Sequence, residues 1–199
     1  MIAIVDYGIG NIMSLMALLE GEDVVLTDAP ETLMRADVMI LPGVGAFGYA
    51  MAALVERKLD VVVKAFAQTG KPLIGICLGM QLLYESSEEH GTHQGLGLLK
   101  GQIVSLPDDL VKPHMGWNLL SNAQAYMYFV HSYYATDVEP STVLATTRYG
   151  TDIPAVVQSG NLIGFQGHPE KSGAFGRALL KEVIQRSEEH TSELQSLSH

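Results

Sequence analysis

Short apolar runs alternate along the first part of the chain with segments in which apolar residues recur every three or four positions. The runs predict buried strands, and the recurring pattern predicts amphipathic helices. The predicted strands lie at 2–6, 24–26, 38–41 and 72–76, and the predicted helices lie at 12–19 and 49–67. Asn11 directly precedes the first helical pattern, so we expect it to be the N-cap of that helix.

The second half of the chain is richer in strand signals. Apolar and β-branched runs occur at 103–104, 127–130, 143–145, 155–157 and 162–165, and a last helical pattern covers 175–184. Strands that alternate with helices predict a three-layer α/β fold, with a mostly parallel sheet and helices on both faces. Functional sites in such sheets lie at the carboxyl ends of the strands.

Composition narrows the class of protein. The 199 residues are 47 % hydrophobic, which is enough for the core of one α/β domain. A net charge of −10 argues against nucleic acid as a partner. No apolar run reaches the roughly eighteen residues of a membrane span, so we expect no membrane contact. One cysteine excludes an internal disulfide and fits a cytoplasmic location, and without a Cys/His cluster we expect no metal or cofactor.

The C-terminal residues do not continue the pattern of the domain. Residues 186–199 show no apolar periodicity and look like the translation of a short-read sequencing adapter joined in frame to a gene. We therefore expect one domain over 1–185 and a disordered, non-native tail over 186–199. A genuine polar tail is the alternative.

The strongest chemical signal is a Gly-x-Cys-x-Gly motif around Cys77, between a predicted strand and a helical pattern. The glycines leave room for a sharp turn, and the N-terminus of the helix favours a thiolate. His168 and Glu170 follow another predicted strand, and their spacing points both side chains to the same side. A lone cysteine is more often a small buried side chain, but this combination predicts a nucleophile, its base and an orienting carboxylate.

Attack by Cys77 on a carbonyl group requires N–H donors for the oxyanion that forms. We expect one donor to be the backbone N–H of Leu78, directly after the nucleophile. The other should come from Gly43, Val44 and Gly45, where two glycines let a peptide rotate at little steric cost. Without the cysteine motif, an ordinary glycine-rich turn would be the better interpretation of this segment.

Five segments together resemble one family: 41–47, 75–81, 113–118, 128–133 and 168–172. The set is similar to the triad-type, class I glutamine amidotransferases, and among them to the glutaminase subunits of imidazole glycerol phosphate synthases, from residue 1 to about 185. The resemblance implies a flavodoxin-like fold and hydrolysis of glutamine to glutamate and ammonia through a thioester on Cys77. It also implies a heterodimer with a (β/α)₈-barrel cyclase, which uses the ammonia to make imidazole glycerol phosphate and aminoimidazole carboxamide ribotide in histidine biosynthesis.

The same resemblance implies roles for further residues. It assigns substrate binding to Gln81, Glu89, Ser132 and Tyr133. Spacing alone leaves open that Gln81 is a solvated helix residue and that Glu89 belongs to a solvated acidic run.

The resemblance also implies a contact surface for the cyclase. It assigns that surface to Asn11, Met115, Trp117, Asn118 and Lys171. Exposed aromatic residues are favoured anchors at interfaces, although a core position for the only tryptophan is the alternative.

The chain departs from the family's pattern at three places. Gly167 stands where a bulky aromatic residue usually precedes His168, and the connections at 118–129 and 19–24 are shortened. We expect Gly167 to remove packing beside the imidazole. Two other functions stay open, the glutaminase subunit of pyridoxal phosphate synthase and a catalytically impaired interaction subunit.

Overall fold

A seven-stranded, mostly parallel β-sheet forms the centre of the protein. The computed structural model describes residues 1–122 and 124–196, with side chains as far as Arg186. In chain order the strands are β1 (Ile2–Val5), β2 (Val24–Thr27), β3 (Val38–Leu41), β4 (Leu73–Ile76), β5 (Tyr84–Ser87), β6 (His93–Gln94), β7 (Leu99–Ser105), β8 (His114–Leu119), β9 (Tyr126–His131), β10 (Tyr133–Thr136), β11 (Val143–Tyr149), β12 (Thr151–Ser159) and β13 (Leu162–Phe165). The helices are α1 (Ile12–Leu18), α2 (Pro30–Arg35), α3 (Phe47–Glu56), α4 (Leu59–Ala67), α5 (Leu78–Leu82) and α6 (Gly173–Ser196), with 3₁₀ turns at Pro140–Thr142 and Pro169–Lys171.

The strand order across the central sheet is β11-β12-β13-β4-β3-β1-β2. The strands from β13 to β2 run parallel, and β12 and β11 extend the sheet antiparallel at one edge. All residues of β1, β3, β4 and β13 are buried, as expected for parallel strands covered on both faces. The predicted α/β fold is confirmed. The prediction of a buried strand at 24–26 is wrong in one respect, because β2 is the edge strand and Leu26 is 38 % exposed.

Two apolar cores lie on the two faces of this sheet. Ala3 and Val5 of β1 belong to the core that α2, α3, α4 and α5 cover. Ile2 and Ile4 belong to the other core, which α1 and α6 cover. This division follows from the alternation of side chains along a strand. Because helices seal both faces, the carboxyl edge of the sheet is the accessible place for a site.

Two smaller sheets accompany the central one. A four-stranded sheet has the order β10-β7-β5-β6, and β8 pairs with β9 to form an antiparallel two-stranded ribbon, here called the β8–β9 ribbon. Its register sets His114 opposite His131 and Trp117 opposite Tyr128. Side chains alternate along β8, so His114 is buried whereas Met115 and Trp117 are exposed.

The helix predicted over 49–67 is in fact two helices. α3 ends at Glu56 and α4 begins at Leu59, with Lys58 between them in the left-handed conformation at φ 57°. The apolar pattern continues across this break, so periodicity could not reveal it. α1 begins after Asn11 as predicted, but the Asn11 side chain makes no capping hydrogen bond.

The last helix is longer than predicted. We predicted a helix over 175–184, whereas α6 covers Gly173–Ser196, since no glycine or proline interrupts it beyond its first turn. Helix therefore occupies part of the segment 186–199 for which we predicted disorder, and residues 197–199 lie outside the described residues. The non-native origin of that segment stays a prediction. No helix in the described part of the chain is long and apolar enough to cross a membrane.

Candidate active site

Cys77 lies at a sharp turn between the carboxyl end of β4 and the start of α5. Its backbone has φ 52° and ψ −112°, a conformation that side-chain-bearing residues rarely adopt. A Cβ at Gly75 would lie 2.7 Å from the Cα of Met80. A Cβ at Gly79 would overlap the carbonyl oxygen of Leu41. The tight packing of this turn therefore requires both glycines of the motif, and it fixes Cys77 at the carboxyl edge of the sheet.

His168 reaches the same edge because β13 pairs with β4 in parallel. The register sets Phe165 opposite Ile76, and the N–H of Cys77 donates to the carbonyl oxygen of Phe165 at 2.7 Å. The chain then leaves the sheet, and the Nδ1 atom of His168 lies 2.6 Å from Oε1 of Glu170. Cys77 and His168 line one cavity, with Glu170 on the other side of the imidazole. The structure thus brings the three predicted side chains together.

The imidazole of His168 is buried, and its two nitrogens have different surroundings. The side chains of His168 and Glu170 are 1 % and 4 % exposed. Nδ1 faces the carboxylate, while Nε2 has no hydrogen-bond partner among the described residues. Burial alone would lower the pKa of His168, but the proximity and negative charge of Cys77 and Glu170 outweigh it and raise the pKa to about 10. The ring is therefore held protonated at neutral pH, with Nε2 on the side of the thiol.

A cavity of about 350 Å³ lies beside the thiol. Its walls include most of the residues predicted to form the site, namely Val44, Gly45, Cys77, Leu78, Gln81, Glu89, Ser132, Tyr133, His168 and Lys171. Gly43 lies directly behind this wall, because a Cβ there would be 2.8 Å from the backbone nitrogen of Gly79. Among the described residues, no group of His, Cys, Asp and Glu side chains has the arrangement of a metal site.

Gln81 and Glu89 are both engaged with the fold. Nε2 of Gln81 donates to the carbonyl oxygen of Tyr133 and to Oε1 of Gln166, each at 3.0 Å. Because Gln81 is only 4 % exposed, the alternative of a solvated helix residue is wrong. Oε2 of Glu89 accepts from the N–H of Phe47 at 2.8 Å, so the carboxylate stabilises the start of α3. The Oε1 atoms of both side chains make no hydrogen bond within the described part of the chain.

Three of the residues predicted to contact a partner lie on one surface. Met115 and Trp117 are 62 % and 55 % exposed, which rules out the core alternative for Trp117. Trp117 packs edge-on against Tyr128, with the ring centroids 6.1 Å apart. Nζ of Lys171 lies 5.7 Å from the centre of the same tyrosine ring, and Lys171 also lines the cavity. An exposed aromatic surface therefore adjoins the cavity.

The two asparagines predicted for that surface make hydrogen bonds within the chain. Nδ2 of Asn118 donates to the carbonyl oxygen of Arg148 at 2.9 Å and lies 3.3 Å from Nε2 of His114. The carbonyl oxygen of Asn11 accepts from the N–H of Leu15 in the first turn of α1. Their partner roles stay predictions.

Comparison with known proteins identifies the family. The family model for glutamine amidotransferase class-I matches residues 4–185. The chain belongs to this family. It is 52 % identical to the "Imidazole glycerol phosphate synthase subunit HisH" of Oceanobacillus iheyensis, a match that covers 91 % of this chain and 96 % of the relative. A relative of the same description from Lactiplantibacillus plantarum is also 52 % identical, covering 92 % of this chain and 96 % of that protein.

A solved structure supports the fold of this class I glutamine amidotransferase. A crystal structure described as a glutamine amidotransferase superposes with a TM-score of 0.77, covering 93 % of this chain and 98 % of that chain. At 19 % sequence identity this likeness shows only that the two chains share a fold.

The packing gap expected at Gly167 of this amidotransferase is absent. A Cβ at Gly167 would lie 2.5 Å from Sδ of Met127, whose side chain is fully buried. The N–H of His168 also donates to the carbonyl oxygen of Tyr128 at 2.8 Å. The expectation of lost packing was wrong, because a methionine from β9 occupies the space that an aromatic residue at Gly167 would need.

Sequence reasoning assigned no role to Gln166 and did not pair His114 with His131, and all three are buried polar residues near the cavity. Gln166 is fully buried, and its Nε2 lies 3.9 Å from Sγ of Cys77. His114 and His131 are also buried, with Nδ1 of the first 2.9 Å from Nε2 of the second. A polar residue directly after the strand pattern at 162–165 was the available signal for Gln166. The histidine pair gave none, since only the register of β8 against β9 brings the two rings together.

Proposed function

We propose that this chain hydrolyses glutamine to glutamate and ammonia, with Cys77 as the nucleophile. The observation that carries the proposal is the buried imidazole of His168, which Glu170 orients through Nδ1 and whose Nε2 is left on the side of the thiol. Burying a nitrogen without a hydrogen-bond partner costs free energy, and such an atom in a native structure is often catalytic. Here it stands beside the one cysteine of the chain, at a cavity that can hold a small amide.

The reaction begins when the Cys77 thiolate attacks the carboxamide carbon of glutamine. His168 then gives its proton to the leaving nitrogen, so that ammonia departs and a glutamyl thioester remains. The neutral ring accepts a proton from the water that hydrolyses this thioester, and glutamate leaves. Glu170 holds the proton on Nδ1 and keeps the ring aligned through the 2.6 Å hydrogen bond.

Backbone N–H groups stabilise the oxyanion of each tetrahedral intermediate. The N–H of Leu78 is the first in α5, and such groups have no partner within their own helix. The second donor comes from the segment of Gly43, Val44 and Gly45. Val44 is 42 % exposed and Gly45 has φ 97°, so the peptide between them can turn toward the cavity without disturbing the core. The Tyr7 hydroxyl donates to the carbonyl oxygen just before this segment and anchors its base.

Acceptors in the cavity wall recognise the amino-acid end of glutamine. The α-amino group is a cation, and Oε1 of Glu89 and Oε1 of Gln81 are the acceptors left free by the internal hydrogen bonds. Ser132 and Tyr133 line the same cavity and complete the binding site. A ligand held in this way presents its carboxamide to Cys77.

We propose further that the ammonia passes to a (β/α)₈-barrel cyclase of imidazole glycerol phosphate synthesis, in keeping with the names of the two relatives. Ammonia released into water would be protonated, so the cavity must open toward the cyclase that uses the ammonia. The exposed aromatic surface of Met115 and Trp117, with Lys171 at the cavity, supports a partner docked at this edge. The intact arrangement of Cys77, His168 and Glu170 speaks against an impaired interaction subunit.

The test is glutamate release from glutamine by the full chain, alone and with its cognate cyclase and the nucleotide ligand of that cyclase. We expect activation of about 10²–10³, the cost of one oxyanion donor that is turned away in the free chain. Equal rates with and without the cyclase would exclude this switch. In Cys77→Ala the complex should lose glutamine-dependent cyclisation and keep cyclisation driven by added ammonia, and residual glutaminase activity near wild type would refute the nucleophile.

A further inference from the structure

Gln166 carries a fully buried amide beside Cys77, and the reaction proposed for Cys77, His168 and Glu170 gives it no role. It directly follows β13, and its backbone N–H donates to the carbonyl oxygen of Ala155 at 2.9 Å. Its side chain points to the turn of β4, where Nε2 lies 3.9 Å from Sγ of Cys77. Burying an amide costs free energy unless its donors and acceptor are used. We therefore expect the donors and the acceptor of the Gln166 amide to have hydrogen-bond partners.

The orientation of the Gln166 amide is determined by its neighbours. The carbonyl oxygen of Tyr133 can only accept, so the atom of Gln81 that faces it at 3.0 Å must be the amide nitrogen. The same nitrogen donates to Gln166 at 3.0 Å, so the atom of Gln166 at this contact must be Oε1. The other end of the amide, Nε2, is then directed at Cys77. Sγ of Cys77 consequently faces the N–H end of the Gln166 amide and not its oxygen, while the thiol of Cys77 donates toward the carbonyl oxygen of Val130 at 4.0 Å.

A pair of buried histidines fixes the carbonyl group on which this orientation depends. Nδ1 of His131 donates to the carbonyl oxygen of Tyr133 at 2.8 Å, which leaves Nε2 of His131 to accept from Nδ1 of His114 at 2.9 Å. His114 is stacked against Tyr149, with the ring centroids 4.2 Å apart. Burial lowers the pKa of His131 to about 4 and also lowers that of His114, so both rings stay neutral, as this chain of hydrogen bonds requires.

We propose that Gln166 is a positioning residue for the Cys77 thiolate, held as an N–H donor by a hydrogen-bonded chain through Gln81, the carbonyl oxygen of Tyr133, His131 and His114. The inference rests on the proposed role of Cys77 as the nucleophile. A donor that cannot rotate stabilises the anionic sulfur more than the neutral thiol and holds it at one place. The distance of 3.9 Å leaves room for the hydrogen bond to shorten when the sulfur is charged.

Other ionisable groups also face the sulfur and must stay unchanged in a test. They are His168 with Glu170 behind it, the buried Tyr7, and Tyr133, Glu89 and Lys171 in the cavity wall. His131 lies in the same wall and stays neutral over the tested range. Gln166 is neutral, so substituting it with another neutral side chain leaves the charges of all these groups in place. A change in thiolate formation can then be assigned to the lost donor.

The experiment measures the rate of alkylation of the full chain by iodoacetamide between pH 5 and 9. Cys77 is the only cysteine, so the rate reports on it alone. Gln166→Met keeps the length of the side chain without its donor, and Gln166→Leu is a second neutral variant without a donor. The control is Gln158→Met, which changes an exposed glutamine on neighbouring β12.

In Gln166→Met we expect the pH of half-maximal alkylation to rise by about one unit and the rate at pH 7 to fall about tenfold. Gln166→Leu should shift the profile about as far, and His131→Phe should shift it less in the same direction, whereas Gln158→Met should match wild type. With the cyclase present, Gln166→Met should lower kcat by more than it changes KM, because the carbonyl oxygen of Tyr133 still holds Gln81.

An unchanged alkylation profile in both Gln166 variants would overturn the proposal, since a purely structural role alters the melting temperature but not the profile. If Gln166→Met does not fold, the smaller neutral variant Gln166→Leu decides. The alkylation assay contains no glutamine, so its outcome is independent of glutaminase activity. A shifted profile in a chain that fails to hydrolyse glutamine would refute the proposed function and leave the placement of Gln166 standing.

Discussion

Two buried histidines beside one cavity have pKa values shifted in opposite directions. His168 is 1 % exposed and His131 is 6 % exposed, so burial favours the neutral form of both. The pKa of His168 nevertheless rises to about 10, because Cys77 and Glu170 place negative charge beside it. The pKa of His131 falls to about 4, because burial outweighs its hydrogen bond to the carbonyl of Tyr133 and the charge on His168 adds to the effect. Burial alone would leave both rings neutral, and only the negative partners of His168 reverse that effect.

Because their charges differ, the two histidines can perform different tasks at the site. His168 can carry and move a proton because its environment tolerates the charged ring. His131 cannot, and its fixed tautomer instead holds the backbone that lines the cavity. The charge on His168 helps to keep His131 neutral, so the two neighbourhoods are coupled by electrostatics as well as by the wall they share.

Glu170→Gln should have the largest effect, because it removes the carboxylate that sets His168 apart from His131. The amide can still approach Nδ1, but it no longer stabilises the charged ring or fixes its tautomer. We expect kcat for glutamine hydrolysis in the complex to fall by about 10²–10⁴. The matched control is Glu182→Gln, an exposed carboxylate on α6. A kcat equal to that of the control would show that Glu170 does not orient the base.

Met127→Ala should destabilise the fold next to both histidines. Met127 fills the space above Gly167, directly before His168, and it belongs to the same apolar cluster as Phe129, which stacks on His114. Truncating a fully buried methionine costs about 2–5 kcal/mol of unfolding free energy.

Urea unfolding at pH 7 measures the effect of Met127→Ala, and Met13→Ala, at a position 86 % exposed, is the control. If both variants unfold at the same urea concentration, Met127 does not close the gap at Gly167.

The dependence of stability on pH should show the two histidines separately. His131 has a lower pKa in the folded state than its ordinary value of 6.5, so its contribution is present above pH 6.5 and is lost as the pH falls toward about 4. His168 has a raised pKa, so its contribution is complete below pH 6.5 and is lost as the pH rises through about 10.

His131→Gln should therefore flatten the acid side of the stability curve by up to about 1.4 kcal/mol per pH unit and leave the alkaline side unchanged. The measurement is the urea midpoint between pH 4.5 and 10, with the exposed His90→Asn as the control. An acid slope identical in His131→Gln and wild type would mean that His131 is not held neutral in the fold.

The sequence predicted the surroundings of the charged His168 far better than those of the neutral His131. Cys77 and His168 follow strands that are continuous apolar runs, and the glycines at 75 and 79 are required by space, so a local pattern encodes them. His114 and His131 meet through the pairing of two strands, and no local pattern encodes that register. The same holds for Met127, whose contact with Gly167 joins positions far apart in the chain.

Prediction of the fold had the same limit, because local patterns were predictable and contacts between distant residues were not. The parallel strands of the sheet were predictable because burial on both faces leaves uniform apolar runs. The break between α3 and α4 was not, since Lys58 adopts its left-handed conformation with no glycine to mark it. The four-stranded sheet was missed in part because β5 and β6 carry mostly polar residues, and their pairing is decided by neighbours rather than by hydrophobicity.

Deleting residues 186–199 should have the smallest effect, because neither histidine neighbourhood includes them. The family match ends at residue 185, and Ile184 is the last buried residue among the side chains described in α6. Arg186 pairs with Glu182 as an exposed pair one helical turn apart, which is worth about 0.3–0.5 kcal/mol. A chain ending at Gln185 should therefore melt within about 2 °C of the full chain and keep its activation by the cyclase. Thermal unfolding and the coupled glutaminase assay measure both, and a drop of several degrees would show that this segment packs against the domain and is part of the protein.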